Sequence, residues 1–299
     1  MKFKKMIDLI KEQEDFLNLL KSKEINFAKL VNFSNIEKID LNYMSKNFNQ
    51  TNDGFDERRT LFELLIIKLN NEEFLQIMEK QKQHKILHNC QGIFLAIKNN
   101  KRKIIQYLLD KKINLDVNNI FRGSDGEEKD CYNSVLMNAA FELDQNNNDL
   151  FQIILDRTKN INHRSEITYY NGDIGNDNAA NYAAYNGDVK KLEMLYLAGV
   201  NFSNVEVYEE TTPCQQLYKV LKEKNELDLF VNFMENHKDL LTLEINRKTK
   251  LLDKYFQYKL HYDGLVEYFN SIESILLKMN IENNLNLQIN NKIIKKNKI

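Results

Sequence analysis

The side chains able to do chemistry are few and scattered. His84, His88 and Cys90 form the one close His/Cys grouping. Two histidines four apart share a helix face and can hold zinc. Here Lys85, not a glutamate, follows His84, and no fourth ligand stands nearby. The pair therefore reads as a polar helix end. Cys131 lies beside Lys129 and Asp130, but a cysteine nucleophile needs a base to activate it. His163 and His237 could be assigned that role only by free choice. Gly123-Ser124-Asp125-Gly126 lacks the Gly-Lys-Ser/Thr ending and the flanking strand of a phosphate loop. The run from Asp144 to Asp149 lacks the central glycine and final glutamate of a calcium-binding loop. Lys101-Arg102-Lys103 and Lys295-Lys296 have no interleaved aromatics. They read as a solvated helix face and a frayed tail, not as nucleic-acid contacts. No metal, cofactor or catalytic residue is expected.

Composition supports that restraint. The chain has 299 residues, 42% hydrophobic and 28% charged, with a formal net charge of -1. That length allows one large domain or two small ones. The near-zero charge gives no global attraction to nucleic acid or an anionic membrane. A single proline, Pro213, and 9 glycines argue against Pro-rich linkers and against sheet folds with many tight turns. Three cysteines without motif spacing fit a reducing compartment. No 18-residue apolar run exists, so no membrane span is expected. The start, MKFKKMIDLI, lacks the apolar core of a signal peptide. The expected location is the cytoplasm, or a host cell cytosol after delivery.

The elements that organise the chain are short paired helices, most legible between Asn178 and Ser203. The small residues Ala179, Ala180, Ala183 and Ala184 precede Gly187. Val189, Leu192, Leu195 and Leu197 follow, and Gly199 closes the segment. This spacing predicts two short helices joined by a tight turn, with a left-handed glycine ending the second. Neither helix could stand alone in water, so each needs neighbours of the same kind.

The segment resembles an ankyrin repeat, a unit of about 33 residues made of a turn and two antiparallel helices. Asn178 to Asn181 stand at the first places of the family's Thr-Pro-Leu-His opening, and Ala183 and Ala184 at its alanines. Gly187 and Gly199 fall on its two glycines. Weaker matches begin near 60, 91, 134, 212 and 249. Thr60 opens one, with Leu65 and Ile66 in the alanine places, and Ala96 and Ile97 hold those places in the next. Asn99-Asn100 turns that second pair, and Lys112 replaces its closing glycine. Ser134 opens a third with Ala139 and Ala140, and Thr212-Pro213 reproduces the family's Thr-Pro.

The resemblance implies an all-α ankyrin-repeat solenoid of stacked helix-turn-helix units with helical caps. Residues 1–48 would form the N-terminal cap and 49–270 the array of about six units. Long inserts fall at 117–132 and 163–177, and 271–299 would add a C-terminal helix and basic tail. The resemblance also implies a function without chemistry: binding another protein along the concave face and its projecting turns. The partner-facing candidates are Phe121, Arg122, Asp125 and Glu127 in the first insert, and Tyr169, Tyr170, Asp173 and Asp177 in the second. Tyr208 and Glu209 belong to a third excursion. Tyr and Arg beside charge suit an interface, and their acidity suits a basic partner. Divergent repeats with many Asn, Lys and Ile resemble ankyrin proteins of intracellular bacteria, which implies an effector acting on a host protein. The competing reading is an enzyme, or a modulator of one, with its site in the inserts or after residue 240. Oligomeric state is not readable.

Overall fold

Hydroxyl side chains start the helices where the motif openings place them. Thr60 accepts from the Glu63 N–H, and Glu63 returns the bond to the Thr60 N–H. Ser134 accepts from the Met137 N–H, and Thr212 from the Gln215 N–H, with Pro213 in the first turn. Each such cap is worth about 1 kcal/mol. The computed structural model describes residues 2–22, 24–43, 60–81, 91–119, 133–165, 177–203, 211–258 and 263–296. Within them the chain is all-α, apart from one antiparallel pair of two-residue strands. It divides into two compact units, Met1–Ala179 and Ala180–Ile299.

The first unit contains α1 (Lys2–Lys21), α2 (Phe27–Val31), α3 (Leu61–Lys68), α4 (Asn71–Lys80), α5 (Gly92–Lys98) and α6 (Arg102–Asp110). After the strands β1 (Asn118–Asn119) and β2 (Asn133–Ser134) come α7 (Val135–Glu142) and α8 (Asn148–Arg157). The helices lie in two rows. α1 packs on α3, α3 on α5 and α5 on α7; α2 packs on α4, α4 on α6 and α6 on α8. Between the rows Phe74, Ile77, Ile104, Ile105, Leu108, Phe151 and Ile154 are fully buried. Burying each of these side chains stabilises the unit by roughly 1.5–3 kcal/mol. Phe74 meets Phe62 and Tyr107 edge-on at 5.8 and 5.9 Å. Ala96, Ala139 and Ala140 are fully buried, as expected of positions where helices approach closely. Leu65 and Ile66, bulkier than the family's alanines, are fully buried too.

Successive helix pairs are also fastened at their turns, where Arg102 and Lys103 of the basic run are exposed as expected but paired, and Lys101 is partly buried. The Lys101 ammonium donates to the carbonyls of Ile66, Ile67 and Leu69, at 3.1 Å to Ile67 and 2.6 Å to Leu69. It thereby satisfies the end of α3, where a cation meets the negative pole of the helix. Arg102 makes a forked ion pair with Asp149, and Lys103 pairs with Glu72 at 2.6 Å. Hydrogen bonding to Arg102 holds the Asp149 carboxyl down at about 2. Asn100 donates to Asp144 at 2.8 Å and accepts from Asn147 at 2.8 Å. At the other end, Arg157 donates to the carbonyls of Leu109 and Ile113. The acids between 144 and 149 thus serve as fasteners between neighbouring pairs. Lys112 takes the left-handed conformation (φ 55°) that its place demands, and Asn100 does the same at φ 49°.

The second unit contains α10 (Val189–Leu197), α11 (Pro213–Glu223), α12 (Leu227–Asn236), α13 (Lys238–Tyr258) and α14 (Asp263–Lys296). α9 (Ala179–Tyr185) starts at the division between the units. Ala183 and Ala184 are fully buried, and Gly187 and Gly199 adopt φ of 68° and 84°. α10 and α11 both border α12, through α10–α12 and α11–α12 contacts, and α12 also packs on α13 and α14. Here the expected boundaries move. α13 starts at Lys238, so the unit expected near 249 begins inside a helix. Leu240, Leu241 and Glu244 form its buried seam. α14 passes through 271 without a break, because Tyr268, Phe269, Ile272, Ile275 and Met279 make one continuous buried stripe.

Candidate functional site

Both long inserts are closed at their bases. The strand pair sets Asn118 against Ser134 and Asn119 against Asn133, so the chain leaves α6 and returns beside itself before α7. The second insert is pinched where the Ser165 N–H donates to the Asp177 carbonyl at 2.8 Å. Phe121, Arg122, Asp125, Glu127, Tyr169, Tyr170, Asp173, Tyr208 and Glu209 lie outside the described residues, as do His84, His88, Cys90 and Cys131. Asp177 corrects its assignment. It belongs to the pinched base and is only 5% exposed, so its side chain is not a surface contact for a partner.

The remaining chemistry-bearing groups do not converge. His163 is half-buried, and His237 is buried between the rings of Tyr196 and Phe233, with centroids at 4.1 and 4.7 Å. Among the described residues no three of His, Cys, Asp and Glu could jointly hold a metal ion. No described helix is long and apolar enough to cross a membrane.

Two arrangements in the second unit were not legible beforehand. The first is a polar core. Glu244 on α13 is fully buried, facing Cys214 of α11 and Tyr268 of α14, which are 1% and 0% exposed. Arg247 reaches in, donating to Gln215 at 2.8 Å, with Thr212 and Glu244 at 3.4 and 3.5 Å. Burial pushes the Glu244 carboxyl up, against the Arg247 guanidinium, which pulls it down. Burial raises the Cys214 thiol and the Tyr268 phenol as well. A thiol kept protonated in such a core is inert as a nucleophile.

The second arrangement is an open cleft of about 460 Å³. Tyr196 and the turn Gly199–Ser203 form one wall; Asp239, Leu240 and Leu243 of α13 form the other. The Tyr196 hydroxyl donates to Asp239 Oδ1 at 2.5 Å, and that bond raises the phenol above its ordinary range. Asn201 Oδ1 accepts from the backbone and hydroxyl of Ser203 at 2.8 and 2.7 Å, shaping the turn. Phe202 meets the Tyr196 ring edge-on at 6.0 Å. Tyr196 and Asp239 are far apart in sequence, so only the fold brings them together.

No protein-family model matches the chain, and no curated protein does. Among solved structures, a chain of the Bd0816 predatory endopeptidase from Bdellovibrio bacteriovorus in complex with immunity protein Bd3460 is similar over 68% of this chain and 90% of its own. The identity is 18% and the TM-score 0.46, too low to argue fold or function from.

Proposed function

We propose that the chain is a non-catalytic protein-binding module of the ankyrin type, its inserts presented by stacked helix pairs to a partner protein. The observation that supports this most is the double row of helices in the first unit, joined turn to turn by Lys101, Arg102 and Arg157. Repeating pairs of this kind form a rigid scaffold, and insertions carried on such scaffolds often serve as binding surfaces. Both inserts leave and re-enter that scaffold at closed bases, which lowers the ordering cost of binding through them. The resemblance to ankyrin proteins of intracellular bacteria makes a host-cell protein the proposed partner.

Affinity capture from host-cell lysate tests this reading. The wild-type chain is expected to retain one discrete protein, identified by mass spectrometry and then purified. The Tyr169→Ala/Tyr170→Ala double variant should bind that protein at least about tenfold more weakly, since loss of buried interface tyrosines typically costs more than 1 kcal/mol. Equal binding by a normally folded double variant would remove the second insert from the interface. Failure to retain any protein would count against the binding function.

A further inference from the structure

Helix α14 is fixed to its neighbours in two ways. Its surface ties are ion pairs: Glu267 with Lys222 of α11, Glu273 with Lys248 of α13, and Lys278 with Glu235 of α12. Pairs at a surface contribute little. Its buried stripe, from Tyr268 to Met279, is apolar except for the Tyr268 hydroxyl. That hydroxyl lies beside the Glu244 carboxyl of α13. Both side chains are fully buried, yet among the described residues no donor reaches Glu244 Oε1 and nothing partners Tyr268 Oη. Arg247 stands 3.5 Å from Glu244 Oε2 and makes its closer bond to Gln215, at 2.8 Å. A carboxylate so placed is poorly compensated, whereas a neutral carboxylic acid is far less costly to bury.

We propose that Glu244 is a proton latch for α14: with its proton in place the acid is neutral and α14 lies closed on α12 and α13, and when the proton leaves, the charge stranded in the seam raises the population in which α14 is open. The titratable groups around it come from each neighbouring helix. α11 brings Cys214 and, against the Tyr268 ring, Tyr218. α14 brings Tyr268. α12 brings the buried Phe230, Phe233 and Met234, which do not titrate, and His237 at its end faces Tyr196 and Phe233. On α13 itself Arg247 favours the charged acid, and Asp239 acts on Cys214. The closed seam holds the proton more tightly than the open one, because burial raises the carboxyl above its ordinary range. The latch is therefore fully closed below the ordinary glutamate value and weakens as pH rises through the raised one. Within that interval the open fraction grows by about tenfold per pH unit, and it levels off above it. The opening is local, because no described element follows α14 and local opening begins at the least fastened element.

Hydrogen exchange of the full chain at a series of pH values tests this. Chemical exchange speeds up alike for all amides as pH rises, so peptides of α10 in the same molecule serve as the reference. Exchange over residues 263–279, relative to α10, is expected to climb by about tenfold per pH unit and then level. In Glu244→Gln, which carries a neutral side chain of the same shape, the ratio should keep its acid value throughout. An infrared carboxylic-acid band that outlasts those of the surface carboxyls as pH rises, and that Glu244→Gln lacks, should accompany the closed state. A wild-type ratio that does not change with pH, an equal climb in Glu244→Gln, or the absence of that band from the wild-type chain would each overturn the proposal. The wild-type ratio and band stand as tests even if the variant misfolds.

Discussion

Replacing Arg247 with methionine is expected to destabilise the second unit by about 3–5 kcal/mol, the range for breaking one side of a buried ion pair. Methionine keeps most of the stem volume but leaves Glu244 fully buried without its only described cation. The Gln215 side chain would lose its donor in the same step. The loss should depend on pH with a definite sign. Burial already raises the Glu244 carboxyl above its ordinary range, so the folded state favours the protonated acid. Such a group contributes stability that is fully present below its unfolded value and is lost as pH rises through its folded one. Removing Arg247 raises the folded value further. The defect should therefore be smallest in acid and grow toward neutral and alkaline pH. Glu244→Gln should flatten that dependence, and the double variant should recover much of the single-variant loss. Denaturant titrations at several pH values read these outcomes. A small, pH-independent cost in Arg247→Met would mean that Glu244 is not held as the structure shows.

Gly187→Ala should cost about 2–3 kcal/mol, against about 1 kcal/mol for Gly199→Ala. Both residues have left-handed backbones, at φ 68° and 84°, which an L side chain disfavours. They differ in what surrounds them. A Cβ at Gly187 would lie 3.0 Å from Val220 Cγ1 and 3.2 Å from Lys224 Nζ. Lys224 donates to the Asn186 carbonyl at 2.8 Å and fastens α11 to the preceding turn. At Gly199 nothing stands within 4 Å. The pair of substitutions thus separates backbone strain from crowding, and equal melting losses would show that the contact between these turns is looser than described.

The local features of the fold were legible in the sequence, and the tertiary ones were not. Thr60, Ser134 and Thr212 announce helix starts because their side chains bond backbone within the first turn. Gly187 and Gly199 announce left-handed turns because few other residues adopt them at no cost. Lys112 carries no such signal, yet its backbone is left-handed, since the packing of its helix pair outweighs the modest strain. The exposure of Arg102 and Lys103 is legible, but the partners of Lys101-Arg102-Lys103, at Ile66 to Leu69, Glu72 and Asp149, are not, because they lie more than thirty residues away. The start of α13 at Lys238 is hidden for a similar reason. Lys238 and Asp239 give a weak start signal, and the buried seam contains Glu244, an acid where periodicity leads one to seek an apolar residue. Asp177 looked like an exposed loop acid, but it folds into the base of its insert. The cleft depends on Tyr196 meeting Asp239, which no local pattern encodes.

Hydrogen exchange of the purified chain with and without its captured partner tests the binding account most directly. Peptides covering 117–132 and 163–177 should exchange more slowly in the complex, while α3 to α8 keep the protection they have alone. Unchanged exchange in both inserts, with slowing confined to α13 and α14, would contradict it.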